Sequence, residues 1–337
     1  MSGVMLLCAL FSGCGKAKQR YETRYLDLFD TVTQVVVYAE SQEQAQQDFD
    51  GIYRQLRFYH EQFDIYHEYS GMANLKTVNG NAGQRPVAVD DCILDLLEQA
   101  KALHDLTDGR VNVAMGSVLS LWHTSRTLGM ADPAQAALPQ MAQLQEANQH
   151  TDIHDLILDR QQKTVAFADP KLRLDVGAIA KGYAAEQVTT WAAEQGMESL
   201  LISIGGNVQA LGGRADGKPW QAAVQAPDGN GLLLYRINVN DNSLVTSGSY
   251  QRYFTVGGRA YHHIIDPSTL MPAEGLISVS VLCPDAALAD GLSTALFCMP
   301  LQEGLALAES LENVEALFIT SDGEERCTSG FLSYSVE

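Results

Sequence analysis

Four apolar runs follow one another in the second half of the chain with no helical run between them: Trp220–Gln225, Leu232–Val239, Leu244–Thr246 and Arg252–Val256. A fifth, Leu200–Ile204, precedes them and ends in Gly205-Gly206-Asn207. Strands this close in sequence pair as antiparallel hairpins. Strict alternation of strand and helix is absent, which argues against a simple doubly wound nucleotide fold. The pattern predicts an α+β chain, with antiparallel-rich sheets flanked by helices.

The helices are legible by period. Phe49, Ile52, Tyr53, Leu56, Tyr59 and Phe63 recur by threes and fours and predict a helix over Gln42–Phe63. Asp90–Leu106 repeats the pattern and stops at Asp108-Gly109. Between them, Ser70 to Gly83 is rich in Asn and Gly and reads as an irregular loop. Asp132–Asn148 reads as a polar surface helix, and Leu156–Arg160 with Thr164–Phe167 as a hairpin. Thr33–Tyr38, Leu276–Cys283 and Val314–Ile319 read as strands, and the residues from Gly323 as a loose end.

Charge narrows the partners. With 41 acidic against 22 basic residues the net charge is −19, the wrong sign for nucleic acid or an anionic membrane surface. An anionic ligand would then need a bound metal or a few selected cations. The run Val4–Gly13 is too short to cross a membrane. Phe11-Ser12-Gly13-Cys14 resembles a bacterial lipoprotein signal box, in which the cysteine is lipidated. Residues 1–20 therefore read as signal and linker, and residues 21–337 as one domain. Cys92, Cys283, Cys298 and Cys327 show no metal-finger spacing and read as free, mostly core residues.

Three stretches carry chemistry. In Leu172–Tyr183 a strand-like alternation (Leu172, Leu174, Val176) reaches Asp175, then Gly177 and Ala178, then a helical run with Lys181 and Tyr183. Small residues before a helix N-terminus, with a lysine one turn in, suit a phosphate grip. An ordinary strand-to-helix turn would use the same residues. Tyr261–Pro267 packs His262, His263 and Asp266 together, so it offers either a general base or a histidine satisfied in a strand. On the predicted helix Asp285–Met299, Asp290, Ser293 and Thr294 share one face among Leu, Ala and Phe. Three oxygen-bearing side chains there suit a hard cation such as Mg²⁺, or hydroxyls bonded back to their own helix.

Five motifs, in one order, resemble the ApbE family of FAD:protein FMN transferases: Asp175–Tyr183, Ile204-Gly-Gly-Asn207, Thr246-Ser-Gly-Ser-Tyr250, His263-Ile-Ile-Asp-Pro267 and Ala289-Asp-Gly-Leu-Ser-Thr294. The resemblance spans about Asp27 to Thr320 and implies a two-lobed fold with FAD in the cleft. It implies FAD contacts at Phe29, Tyr66, Arg110, Val111, Asn112, Asp175, Lys181, Gly205, Gly206 and Ile265. For Mg²⁺ it implies the Ala178 carbonyl with Asp290, Ser293 and Thr294. His263 becomes the general base, and Asp290 is catalytic through the metal. Leu270 stands where the family often has glycine. The implied reaction transfers FMN from FAD to a Thr or Ser hydroxyl of an acceptor protein, of the redox-complex subunit type, and releases AMP. A Mg-dependent FAD pyrophosphatase and a non-catalytic flavin-binding lipoprotein are the alternatives. The implied home is extracytoplasmic, held to the bacterial cell membrane only through the N-terminal lipid.

Overall fold

The structure, a computed structural model, describes residues 17–227 and 232–336. The proposed lipid-bearing Cys14 lies outside these residues. The chain opens with a hairpin, β1 (Gln19–Leu28) and β2 (Thr31–Ala39), followed by helix α1 (Gln42–Phe63). Next come α2 (Leu75–Gly80), the two-residue strand β3 (Val87–Ala88), α3 (Asp91–Leu106), α4 (Gly116–Ala131) and α5 (Met141–Ala147). The hairpin β4 (Leu156–Asp159) and β5 (Thr164–Phe167) leads to α6 (Ala180–Glu194). Then seven strands run on: β6 (Leu200–Ile204), β7 (Asn207–Leu211), β8 (Gln221–Gln225), β9 (Leu233–Asn238), β10 (Ser243–Gly248), β11 (Tyr253–Val256) and β12 (Arg259–His262). After β13 (Leu276–Cys283) come α7 (Ala286–Phe297), α8 (Leu301–Ser310), β14 (Glu315–Thr320), β15 (Glu325–Cys327) and β16 (Ser335–Val336).

The architecture is α+β with antiparallel sheets and flanking helices. Eight strands form the central sheet in the order β1-β2-β6-β7-β10-β13-β14-β15, antiparallel at every pairing. Alternation sorts its side chains to two faces. Val35, Val37, Leu200, Ile202 and Ile204 pack against Ile52 and Leu56 of α1 and Ala184 and Val188 of α6. On the other face Val36, Ala210, Leu244, Leu282 and Leu317 meet Ala222, Val224 and Ile237 of the small sheet β16-β9-β8. A third core joins α3, β5, α7 and β13 through Leu96, Leu97, Val165, Leu292 and Val281. Helix α7 is thereby held between the sheet and α3, and its polar side chains are fixed in place.

Four local expectations are corrected. The stretch Ser70–Gly83 holds a helix, α2, because Asn74 makes a capping box: its side chain accepts from Thr77 N–H and its own N–H donates to Thr77 Oγ1. The alternating run Leu172–Val176 is no ladder strand. Its backbone bonds to the Asn79 side-chain amide through Leu174 and to the Val113 carbonyl through Asp175, leaving one isolated bridge, Met115 to Arg173. Asp132–Asn148 is broken by Pro133 and Pro139 into a 3₁₀ turn and the short α5. The residues after Gly323 are no loose end, since β15 pairs with β14, β16 pairs with β9 and Phe331 is fully buried. Cys92, Cys283 and Cys298 are buried, Cys327 is half-buried, and all four are unpaired.

Candidate active site

The site starts from a reciprocal clasp between α6 and α7. Asp290 Oδ2 on α7 accepts the N–H of Gly182 in the first turn of α6 at 2.9 Å. In return Glu186 Oε2 on α6 accepts the N–H of Ala286, the first residue of α7, at 2.9 Å. The helices approach so closely that a Cβ on Gly182 would lie 2.1 Å from the Ala286 carbonyl oxygen and 2.6 Å from Asp290 Cβ. Glycine is required there by contact, not by dihedral. Tyr183 then anchors α6 in an aromatic cluster, with ring centroids 5.5 Å from Phe63 and 6.0 Å from Tyr59.

The start of α6 leaves backbone groups open. Its N-cap is Ile179, so the N–H groups of Lys181 and Gly182 belong to the unpaired first turn of the helix. Asp290 caps that of Gly182, and the Ala178 carbonyl, one residue ahead of the N-cap, has no hydrogen-bond donor among the described residues. The Lys181 N–H likewise has no acceptor there. Asp290 is almost wholly buried, yet only its Oδ2 is bonded, to Gly182 and, at 3.5 Å, to Lys181 Nζ. Thr294 Oγ1 makes only long contacts, 3.4 Å to Ser247 and 3.5 Å to the Asp290 carbonyl. Ser293 is different: its hydroxyl is fully buried and satisfied by the Asp290 carbonyl at 2.9 Å and Ser247 Oγ at 2.7 Å. Among the described residues no three His, Cys, Asp or Glu side chains gather as a metal cluster. The donors present are one carboxylate oxygen, one carbonyl and one hydroxyl, an all-oxygen set that suits a hard cation keeping part of its water.

Asp175 links this corner to a second group of cations. Its Oδ1 accepts the Gly177 N–H at 2.9 Å. Burial raises its carboxyl above the ordinary range, opposed by that bond and by the nearby His123, Arg126 and Lys181. Arg126 Nη2 donates to His123 Nδ1 at 3.1 Å, and His123 packs on the half-exposed Tyr66 with ring centroids 5.3 Å apart and planes tilted by 31°. Arg252 Nη2 reaches the Asp30 carbonyl at 3.3 Å. The Arg252 carbonyl accepts both the backbone N–H of His263, at 3.1 Å, and His263 Nδ1, at 3.2 Å. A carbonyl only accepts, so His263 carries its proton on Nδ1 and leaves Nε2 as a lone-pair base. Burial, then Arg252 and Arg126, push its pKa down to about 3. The imidazole is neutral at any physiological pH. His262 is its structural neighbour, with Nε2–H on the Ala273 carbonyl and Nδ1 accepting from Ile264.

Several predicted contacts are engaged elsewhere. Arg110 bonds the Cys298 carbonyl and lies 3.6 Å from Asp266, so it braces the segment carrying His263. The Asn112 amide is tied to the Thr151 carbonyl and the Ala114 N–H, and the Val111 side chain is buried. Ile265 packs in a core with Met115, Trp122 and Leu270. Phe29 has a left-handed backbone, with its N–H on His60 Nδ1. Gly205 and Gly206, at φ 59° and 96°, form the two-residue β6–β7 turn. That turn presses on Thr31, beside Phe29 and Asp30. His123, Arg126, Arg252, Glu186 and Ser247 were not singled out from the sequence. A His-x-x-Arg pair on one helical face, and an arginine two residues beyond Tyr250, were the available signals.

The comparisons with known proteins come from sequence and from structure. A profile of the ApbE family matches residues 29–318. The FAD:protein FMN transferase of Treponema pallidum is 31% identical over 98% of this chain and 92% of its own. A Klebsiella pneumoniae protein of the same name is 33% identical over 73% of this chain and 74% of its own. Among solved structures, an ApbE protein of Thermotoga maritima superposes with a TM-score of 0.84 at 28% identity, covering 95% of this chain and 100% of that one. A Vibrio cholerae flavin transferase ApbE gives 0.78 at 27% identity, over 94% and 99%.

Proposed function

The chain belongs to the ApbE family, and we propose that it moves the FMN half of FAD to a Ser or Thr hydroxyl of an acceptor protein and releases AMP. Flavin transfer from FAD to protein is the activity its relatives are named for. The observation that carries the residue-level reading is the start of α6 capped by Asp290, where the Ala178 carbonyl and the Lys181 N–H have no hydrogen-bond partner among the described residues and one Asp290 carboxylate oxygen is unbonded.

In this reading Ala178 O, Asp290 and Thr294 would hold Mg²⁺, which when bound would neutralise charge on the FAD diphosphate. Ser293 supports the corner without ligating, because its hydroxyl is already satisfied. The Lys181 N–H and ammonium, with Arg126 and Arg252, face the phosphates. Tyr66, backed by His123, stacks on a flat ring. The acceptor hydroxyl gives its proton to His263 Nε2 while its oxygen bonds the phosphorus on the FMN side; the diphosphate P–O bond breaks and AMP leaves. The fixed Nδ1–H tautomer aims the lone pair, and the two guanidiniums offset charge growing on the phosphoryl oxygens.

Placement outside the cytoplasm on an N-terminal lipid belongs to the same proposal. No helix among the described residues is long and apolar enough to cross a membrane. One incubation tests the activity: FAD, Mg²⁺ and an acceptor domain bearing a Ser/Thr-Gly-Ala-Thr-like site, read by AMP release and in-gel flavin fluorescence. A fluorescent acceptor band supports transfer. AMP without an adduct makes the protein an FAD pyrophosphatase instead, and intact bound FAD makes it a flavin carrier.

A further inference from the structure

On the face of the central sheet away from α6 and α7 runs a groove of about 750 Å³. Its floor is Gln34, Val36, Leu201, Ser203 and Val208, and its wall is β8. Strand β8 is the outer strand of the small sheet, so one side of its backbone is unpaired. The bonds Val239 N–H to Trp220 O and Ala226 N–H to Leu232 O set the alternation. The backbone groups of Trp220, Ala222 and Val224 therefore face β9, and those of Gln221 and Ala223 face outward. Both outward residues line the groove.

Edge strands are commonly guarded by Lys, Pro or inward charges. Here the exposed positions of β8 are Gln221, Ala223 and Gln225, with no charge among them. Among the described residues the groove also has no Asp or Glu in its lining, in a chain carrying 41 acids. Its two arginines, Arg20 and Arg214, are paired to Glu22 and Asp216 outside it. Glu22 also accepts from the floor residue Gln34 and is paired to Arg20 and Arg24, so a neutral extended segment meets no unpaired carboxylate among these residues.

The groove runs to the active site. At that end it is lined by Gly205, which packs on Thr31, by Gly206, and by Tyr250 and Gln251. One residue beyond each lies the contact between Asp30 and Arg252, and the Arg252 carbonyl holds His263. We propose that an extended segment of the acceptor protein docks along β8 as an added strand and delivers its hydroxyl past Gly206 and Tyr250 to His263. Main-chain bonds to β8 supply affinity, and the small-residue turn at Gly205-Gly206 leaves room for the chain to pass. The proposal rests on the reading of the protein as a protein-modifying transferase.

The probe is a fluorescein-labelled peptide of roughly 15 residues centred on a Ser/Thr-Gly-Ala-Thr-like site, its reacting residue replaced by Val so that binding is read without transfer. Two variants are compared with the native protein by anisotropy without FAD. Ala223→Pro removes an outward N–H without touching the ladder, and Gln221→Glu with Gln225→Glu places acids in the groove. Each is expected to weaken peptide binding by about tenfold or more while FAD affinity, read by flavin quenching, stays within about twofold. Unchanged peptide binding in both variants, an equal loss of FAD affinity, or no binding by the native protein would overturn the proposal. A native protein that binds the peptide but never flavinylates the intact acceptor domain would sink the transferase reading and leave the groove standing.

Discussion

Asp290 performs two tasks, and two substitutions separate them. Asp290→Ala strips the buried Gly182 N–H of its acceptor, which costs about 1–3 kcal/mol. It also removes the counter-charge of Lys181, 3.5 Å away and partly exposed, worth up to about 1 kcal/mol. The expected loss is about 1–4 kcal/mol. An unfolding entropy of roughly 2.1 cal/mol/K per residue turns this into a melting decrease of about 1.5–6 °C for a chain of this size. Asp290→Asn keeps an oxygen for the Gly182 N–H and loses only charge, so its decrease is expected to stay within about 2 °C. Both variants lose the anionic oxygen that a cation needs, so both are expected to lose Mg-dependent AMP release by about a hundredfold or more. Thermal melts with and without Mg²⁺, alongside AMP release against Mg²⁺ concentration, make the measurement. If Asn melts as low as Ala, the N–H argument is wrong. If Asn keeps native Mg²⁺ dependence, the metal assignment is wrong.

Gly182→Ala drives a methyl into the Ala286 carbonyl, so it is expected to destabilise by about 3 kcal/mol or more in urea unfolding despite the better helix propensity of Ala; a gain would show the helices can part at no cost. Leu270 holds φ 62° with its side chain buried and its carbonyl on Trp122 Nε1. Leu270→Gly relieves about 1–2 kcal/mol of left-handed strain but loses about 1.5–3 kcal/mol of burial and gains unfolded-state freedom, for a net loss near 1–2 kcal/mol in the same assay. His263 is depressed in the folded state, so it contributes stability above its unfolded pKa near 6.5 that is lost as pH falls toward about 3. The urea midpoint of His263→Ala should therefore gain on the native one between about pH 8 and about pH 5, and a constant difference would contradict the shift. His263→Ala should slow transfer far more than it weakens FAD binding, whereas His262→Ala should leave the rate within a few-fold; equal losses of rate and binding at His263 would make it a binding residue.

The fold was legible where period and packing agree. Helix α1 occupies the same residues, Gln42–Phe63, that its apolar spacing picks out. Its stripe is buried against β2 and β6, so local pattern and tertiary contact ask for the same thing. The segment Leu172–Val176 has good strand alternation and is no strand. Its hydrogen bonds go to the Asn79 side chain, nearly a hundred residues earlier, and to Val113. Alternation reports which side chains are buried, as Leu172, Leu174 and Val176 are; it does not report where the backbone finds its partners. The same blindness hid α2, whose capping box is written in Asn74 and Thr77, two residues that compositional reading assigns to loop.

The site divides along a related line. Side chains with unusual neighbours could be seen in the sequence: Asp290 amid Leu and Ala, or His263 before Asp266. Arg126 and Arg252 could not, because an arginine on a helix or beside a strand is ordinary until the fold brings it near another and near a histidine. The case of Ala178 goes further. Its side chain says nothing, and its carbonyl is available because it lies one residue ahead of the N-cap of α6, where no helical N–H comes back to it. The Gly182 N–H of that open first turn is capped by a carboxylate 108 residues later, on a helix close enough to exclude any side chain at position 182. The helix start is therefore one device. The glycine permits the approach, the carboxylate caps the N–H, and the carbonyl ahead of the N-cap is left unpaired. A pattern search that scores each position by its own side chain misses the last of the three, whereas accounting for where every N–H goes recovers it.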